Sequence, residues 1–357
     1  MASIAKRADG HWRARYRDAR GKEHARHFAR KVDAQQWLDS VTASVQVGAY
    51  VDPTMGRETV AAYARTWLER QVQLKPSTKA RYAGVIRVHI VPRFGPVALA
   101  KIDRSDLSGW VTELSARGLA APTVRHIHKI MHGILQSAML DGRIARNPAT
   151  GVKLPRDRGK YKRFLTHEQV AALADAATDD RLIILVLAYC GLRFGELAAL
   201  RVRSVDPLRR RLIIEESATE VDGVMVFGTP KSHQQRRVPI RKSLIEDLAR
   251  ACEGKHPDDL LFTAPRGGVI FLRNWRKRVF DPASQVAGLD PLSPHELRHT
   301  AASLAVAAGA NVKAVQRMLG HASAAMTLDT YSGLFEDDLD DVADRLDAAA
   351  IQVAQPS

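Results

Sequence analysis

Residues 293–299 read Ser-Pro-His-Glu-Leu-Arg-His, and two unrelated folds lay claim to them. Taken as HExxH, the stretch puts His295 and His299 on one helical face as zinc ligands, leaves Glu296 as a peptidase base, and offers His321 as a third ligand. Taken as H-x-x-R, it pairs His295 with Arg298 at i, i+3 near a helix start, about 5–6 Å apart, an arrangement that favours a phosphate. The neighbouring residues favour the second reading. Ser293 is a good N-cap, Pro294 suits the first helical position, and Glu296 three residues after Ser293 completes a capping box, so the glutamate has a structural task. TAASLA follows His299 in place of the His-rich continuation of the longer zinc-peptidase motif. Arg298 also sets a fixed positive charge within one turn of any bound cation.

The whole chain points the same way. Its 357 residues contain 54 Lys+Arg against 39 Asp+Glu, a net charge of +15, so its field attracts polyanions and nucleic acid is the expected partner. With 45% hydrophobic residues there is material for real cores, and the length predicts two or three domains. The longest apolar run, Leu182 to Cys190, falls well short of the roughly 18 residues of a spanning helix. The opening residues contain no apolar signal-like stretch, so a cytoplasmic protein with no membrane partner is expected. Cys190 and Cys252 are too few for a disulfide framework or a thiolate metal cluster.

Residues 10–30 alternate as two short strands around Ala19-Arg20-Gly21-Lys22, and a helix from about Val32 to Val47 follows, with Val32, Trp37, Val41 and Val45 as its packed stripe. Residues 1–31 carry ten Lys/Arg and three Asp/Glu. Arg13, Arg15 and Arg17, with Trp12 and Tyr16 between them, read as a DNA-facing sheet. A linker with Pro53 and Gly56 leads to helices expected over Val60–Gln71, Ser77–Val91, Ser105–Arg117 and Pro122–Leu140. In the last, Val124, Ile127, Met131, Ile134, Leu135 and Ala138 form a buried stripe. His126, His128 and His132 beside it lack a carboxylate or cysteine companion, and are read as facing solvent or phosphate. Residues 147–163 form a second linker, in which Lys153, Arg156, Lys160 and Lys162 are candidate DNA contacts. Thr166 to Gln169 is a capping box, Arg211 to Ile240 is strand-rich, and Phe335, Leu339, Val342 and Leu346 stripe an acidic helix that needs a partner surface.

Four further pieces accompany HELRH. In YCGLRFGEL (189–197) an apolar helix ends at Gly191 and Arg193 emerges at its foot, where it needs anionic company from Glu196, from a ligand, or from both. FGTPKSHQQRRVPI (227–240) reads as a hairpin with Lys231 at the turn after a strand Val224–Gly228. LGHAS contains His321, and DTYSG places Tyr331 ten residues later.

In order, residue type and context, these pieces resemble the tyrosine recombinases, the family of lambda-type phage integrases and Xer recombinases, over roughly residues 59–340. The resemblance implies a multidomain α+β fold. Residues 1–50 would be an arm-type DNA-binding domain of small sheet plus helix, and 59–150 an all-α, SAM-like core-binding domain. Residues 164–340 would be a mainly α catalytic domain with a small antiparallel sheet, and 341–357 a tail. It implies Arg193, Lys231, His295, Arg298 and His321 as catalytic residues, Tyr331 as nucleophile and Glu196 in support, with Arg236, Arg237 and Lys242 close by as alternatives to Lys231. The chemistry suits them. Two arginines can neutralise non-bridging phosphate oxygens in place of a metal ion. Tyr331 must lose a proton, for which His295 is the candidate base, and Lys231 can protonate the leaving 5′ oxygen. The resulting 3′-phosphotyrosyl bond can be resealed with no cofactor. Implied partners are double-stranded attachment sites, a homotetramer on DNA, a host DNA-bending protein and an excision factor. The same constellation would serve a type IB topoisomerase, whereas a noncatalytic DNA-binding protein has no need of these residues in this order.

Overall fold

Period-two alternation in Trp12–Arg17 builds the middle of the first sheet. In the computed structural model, which describes residues 2–17, 21–46, 55–157, 159, 163–230, 235–331 and 346–347, strands β1 (Ser3–Lys6), β2 (Trp12–Arg17) and β3 (Glu23–Phe28) pair antiparallel in that order. Ala14 and Tyr16 are buried while Arg13, Arg15 and Arg17 are exposed. Tyr16 meets Trp37 of α1 (Lys31–Gln46) at 5.5 Å between rings. The aromatic ring therefore packs under the helix and does not interleave with the arginines. There are three strands where two were expected, because Ser3–Lys6 is too short to show alternation. Among the described side chains of α1 Ala34 and Leu38 are buried and Val32 is 62% exposed, so the expected stripe is misplaced at its start, while Val45 lies outside the described side chains.

The helices α2 (Val60–Glu69), α3 (Pro76–Val85), α4 (Val91–Phe94), α5 (Arg104–Ala116) and α6 (Ala121–Leu140) follow. Thr59 caps α2, and Asp103 with Asp106 forms a capping box on α5, which satisfies amides that a helix start leaves unpaired. Between α3 and α4 the helix widens into a π-turn, Ile86–Ile90, just ahead of Pro92, which has no N–H to donate. The stripe expected in α6 is buried throughout, against Tyr63, Trp67 and Leu114 among others. Two expectations fail here. His128 is buried, because it lies on the flank of the stripe, and Asn147, Ala149 and Val152 pack into or beside this core, so the second linker starts later than its prolines suggest.

The chain divides into two units, Met1–Gly159 and Lys160–Ser357. The second opens with α7 (His167–Ala176), started by the Thr166–Gln169 capping box, then α8 (Arg181–Cys190) and α9 (Phe194–Ala198). Strands β4 (Val205–Asp206), β5 (Arg211–Ile214), β6 (Ser217–Val221), β7 (Val224–Gly228) and β8 (Arg236–Pro239) come next. Helices α10 (Ile245–Cys252), α11 (Leu272–Trp275), α12 (Asp281–Val286), α13 (Pro294–Ala307), α14 (Val312–Leu319) and α15 (Ala324–Tyr331) complete it. Ile183 to Ala188 are all buried, so α8 is apolar all round and forms the centre, packed against α7 and α13. Strand order is β4-β5-β8 in one sheet and β6-β7 in the other. The expected hairpin across 227–240 is thus corrected: β7 pairs with β6, and β8 crosses to β5. Among the described residues no helix is long and apolar enough to cross a membrane.

Candidate active site

The end of α8 fixes the first catalytic candidate. Gly191 caps the helix at φ +64, and a Cβ there would stand 2.8 Å from Leu319 Cδ2, so both conformation and space demand glycine. Two residues on, Arg193 is the N-cap of α9, and Glu196 lies inside it at 1% exposure. A bare carboxylate cannot be buried so deeply. Glu196 accepts from the Arg193 backbone N–H at 2.8 Å, Arg193 Nη1 at 2.9 Å, Arg236 Nη1 at 2.9 Å and Arg236 Nη2 at 2.6 Å, which occupies both oxygens twice. Burial pushes its pKa up, but the bonds and charges of Arg236 and Arg193 outweigh it and hold the carboxyl below its ordinary value.

Arg236, which the sequence offers only as one of the cations near Lys231, is the second partner of Glu196. It stands beside Arg237, and only the strand separates them: along β8 the pattern is buried, exposed, buried, exposed. Arg236 Nε also donates to the Met318 carbonyl at 3.1 Å. Arg298, one turn into α13 and 2% exposed, donates from Nη1 to the Gly191 carbonyl at 2.5 Å and from Nη2 to the Leu319 carbonyl. Two arginines thus hold the carbonyl end of α14, where the helix leaves acceptors unpaired. Burial, with repulsion from Arg193 and Arg236, lowers the Arg298 pKa to about 9, which still leaves it a cation at neutral pH. Among the described residues its hydrogen-bond partners are carbonyls and none is a carboxylate. Three guanidiniums therefore share one carboxylate, and the interior retains positive charge that an anion would balance.

His321 follows the left-handed cap Gly320, and its Nδ1 lies 3.0 Å from the buried Thr327 hydroxyl of α15. Burial, then the charges of Arg298 and Arg193, lowers its pKa to about 4. The ring is neutral at pH 7, and in the tautomer in which Thr327 donates to Nδ1 the Nε2–H is left as a donor. Tyr331, at the end of α15, is 2% exposed and ringed by His299 at 5.7 Å, His321 at 6.3 Å and Phe164 at 6.4 Å. Its hydroxyl lies 2.8 Å from His299 Nδ1. Burial pushes the phenol up to about 12, against the pull of Arg298. His295 packs edge-on to His299 with ring centroids 4.9 Å apart. The histidine in contact with the tyrosine is thus the second of HELRH, where the sequence favoured the first. Glu296 accepts the Ser293 N–H at 2.7 Å, which is the capping box, and so holds a structural post.

The structure brings Arg193, Glu196, Arg298, His321 and Tyr331 into one cluster. Lys231, Lys160 and Lys162 lie outside the described residues, as do Phe335, Leu339 and Val342; Leu346 is exposed. In the first unit Lys153 and Arg156 are exposed. Arg13, Arg15 and Arg17 share Glu23, at 3.4, 3.9 and 3.7 Å, on the open face of their sheet. His126, His128 and His132, with Arg125, Lys129 and Asp157, line a cleft of 530 Å³. Among the described residues no cluster of three or more His, Cys, Asp or Glu is placed to hold a metal.

Residues 163–336 match the phage integrase family, and residues 59–115 match the phage integrase N-terminal SAM-like domain. The integrase of Mycobacterium phage L5 is 25% identical over 317 residues, 84% of each chain. The tyrosine recombinase XerC of Corynebacterium efficiens is 30% identical over 237 residues, 63% of this chain and 72% of XerC. Among solved structures, a lambda integrase tetramer bound to a Holliday junction has the same fold, with a TM-score of 0.59 and 19% identity over 90% of this chain and 95% of the lambda chain.

Proposed function

The chain belongs to the phage integrase family of tyrosine recombinases, and we propose that it integrates or excises a mobile element through a 3′-phosphotyrosyl intermediate carried by Tyr331. One observation carries the assignment of residues: Arg298 is a buried cation whose partners are carbonyls, close enough to Tyr331 to act on its titration. A scissile phosphate supplies the missing negative charge. Arg193 and Arg298 bind its non-bridging oxygens, and such preorganised donors are worth about 2.7–4 kcal/mol each in the transition state. His321 donates from Nε2 to the same phosphate, and Glu196 with Arg236 holds Arg193 in place. Tyr331 Oη attacks phosphorus while the bond to the 5′ oxygen breaks. Lys231 gives that oxygen its proton, and the 5′-hydroxyl of another strand later reverses the step.

Residues 1–50 serve as the arm-binding domain, presenting Arg13, Arg15 and Arg17 to DNA, and 59–150 as the core-binding domain. Residues 164–340 form the catalytic domain, and Lys153, Arg156, Lys160 and Lys162 of the linker sequence contact the DNA backbone. The partners are double-stranded attachment sites in the cytoplasm at the bacterial nucleoid, three further copies of the chain, a DNA-bending protein and an excision factor. The lambda integrase of the same fold, a tetramer bound to a Holliday junction, supports the four-chain assembly.

Covalent trapping tests this reading. The protein is incubated with labelled duplex from its genomic flanks, nicked near candidate crossover points, with and without EDTA. A denaturation-resistant adduct that survives EDTA and is lost in Tyr331→Phe is expected; a chelator-sensitive activity that Tyr331→Phe leaves intact refutes it.

A further inference from the structure

We propose that His299, the second histidine of HELRH, is the base that removes the proton from Tyr331 as the nucleophile attacks. The proposal rests on Tyr331 being that nucleophile. Its ground is a contact: Nδ1 of His299 lies 2.8 Å from Tyr331 Oη, within range for direct proton transfer, and among the described residues it is the hydroxyl's hydrogen-bond partner.

The surroundings make a base necessary. Tyr331 is enclosed by Phe164, His299 and His321, away from the water that would otherwise accept its proton. Burial raises the phenol's pKa, so spontaneous ionisation is rarer here than in solution. His321 is poorly suited to the task, because its Nδ1 is engaged with Thr327, and among the described residues the hydroxyl's hydrogen bond is to His299 and not to His321. Among the described residues the charged and titratable groups around His299 include His295 and Arg298 of its own helix, Tyr331 of α15, and His321 of the preceding turn.

The step balances without a further reagent. The Oη–H proton passes to Nδ1, the Oη electron pair forms the bond to phosphorus, and the P–O5′ bond breaks with its pair leaving on the 5′ oxygen, which Lys231 protonates. On resealing, the incoming 5′-hydroxyl displaces Tyr331, and the imidazolium returns the proton to Oη. His299 thereby fills, for a tyrosine, the post that the zinc reading of HELRH would have given to a metal ligand.

The test is single-turnover adduct formation on nicked core-site duplex, with wild type, His299→Gln and His299→Ala, across pH. A second substrate carries sulfur at the 5′ bridging position, whose leaving group needs no acid. Expected are a rate loss of roughly 10²–10⁴-fold, loss of the acidic limb of the pH profile, the same defect on the sulfur substrate, and partial rescue of His299→Ala by added imidazole. DNA affinity and the urea midpoint should stay near wild type. Rates within about threefold of wild type on both substrates, an unchanged acidic limb, or full rescue by the sulfur leaving group would overturn the proposal. A wild-type chain forming no Tyr331-dependent adduct would instead overturn the function on which it rests.

Discussion

Replacing Arg236 by Met tests whether the site is built on the Glu196–Arg236 pair. The change deletes two of the four hydrogen bonds to a carboxylate that is 1% exposed, and leaves that carboxylate with the bonds from Arg193. Removing one partner of a buried pair costs about 3–5 kcal/mol, whereas replacing both by apolar side chains is often near neutral. Arg236→Met should therefore destabilise the catalytic unit by about 3–5 kcal/mol, and adding Glu196→Met should recover at least about 2 kcal/mol of it as a coupling term. Amide exchange of α8, read against urea, isolates this unit from the helices of the first. Acid should shrink the difference. The folded Glu196 carboxyl titrates below its ordinary 4.5, so the pair's contribution is complete above that pH and is lost as pH falls through the lowered folded value. A loss under about 1 kcal/mol, additive single and double changes, or a difference that ignores pH would refute the argument.

Three other outcomes follow from the same structure. His321 should titrate near pH 4 by NMR in the free protein, and stability should decline as pH falls from about 6.5 toward 4, because the unfolded chain takes up that proton first; an imidazole titrating at its ordinary value would refute this. Gly195→Ala should abolish adduct formation, since a Cβ would collide with the Ala218 carbonyl, lie 2.8 Å from Ser217 Oγ, and force α9, with Arg193, away from β6; wild-type activity in that variant would contradict the packing. Triple replacement of Arg13, Arg15 and Arg17 by Ala should weaken arm-site binding and flatten its dependence on log salt by about 0.9 for each phosphate no longer neutralised, with the fold intact because all three are exposed. An unchanged slope in gel-shift titrations would move the arm-binding surface elsewhere.

The helices were legible because their signals are local. Capping boxes at Thr166 and Ser293, the stripe of α6 and the all-apolar α8 sit where their residues placed them. What could not be seen depended on partners distant in the chain. β1 has too few residues to alternate, and β8 leaves its neighbour β7 for β5, a choice that no turn sequence announces. Arg236 is indistinguishable from Arg237 until strand pairing assigns one of them to the interior. His295 and His299 are equivalent on a helical wheel, being one turn apart. Only the path of α15 decides which ring meets Tyr331.

Two glycine caps also fix Arg298. Arg298 is held by the carbonyls of Gly191 and Leu319, two chain segments that each end in or precede a left-handed glycine cap. Those carbonyls lend partial negative charge and fix the plane of the guanidinium, but they are dipoles and cannot cancel a full charge. A cation so placed is strained electrostatically and rigid geometrically before any DNA arrives. Under the proposed function both features serve catalysis. Rigidity means that no reorganisation is needed when charge develops on the phosphate, and the unbalanced charge means that the phosphate is bound most strongly when it is most negative, in the transition state. If the carbonyls were replaced by a second carboxylate, the free protein would be more stable and the phosphate would have little left to neutralise.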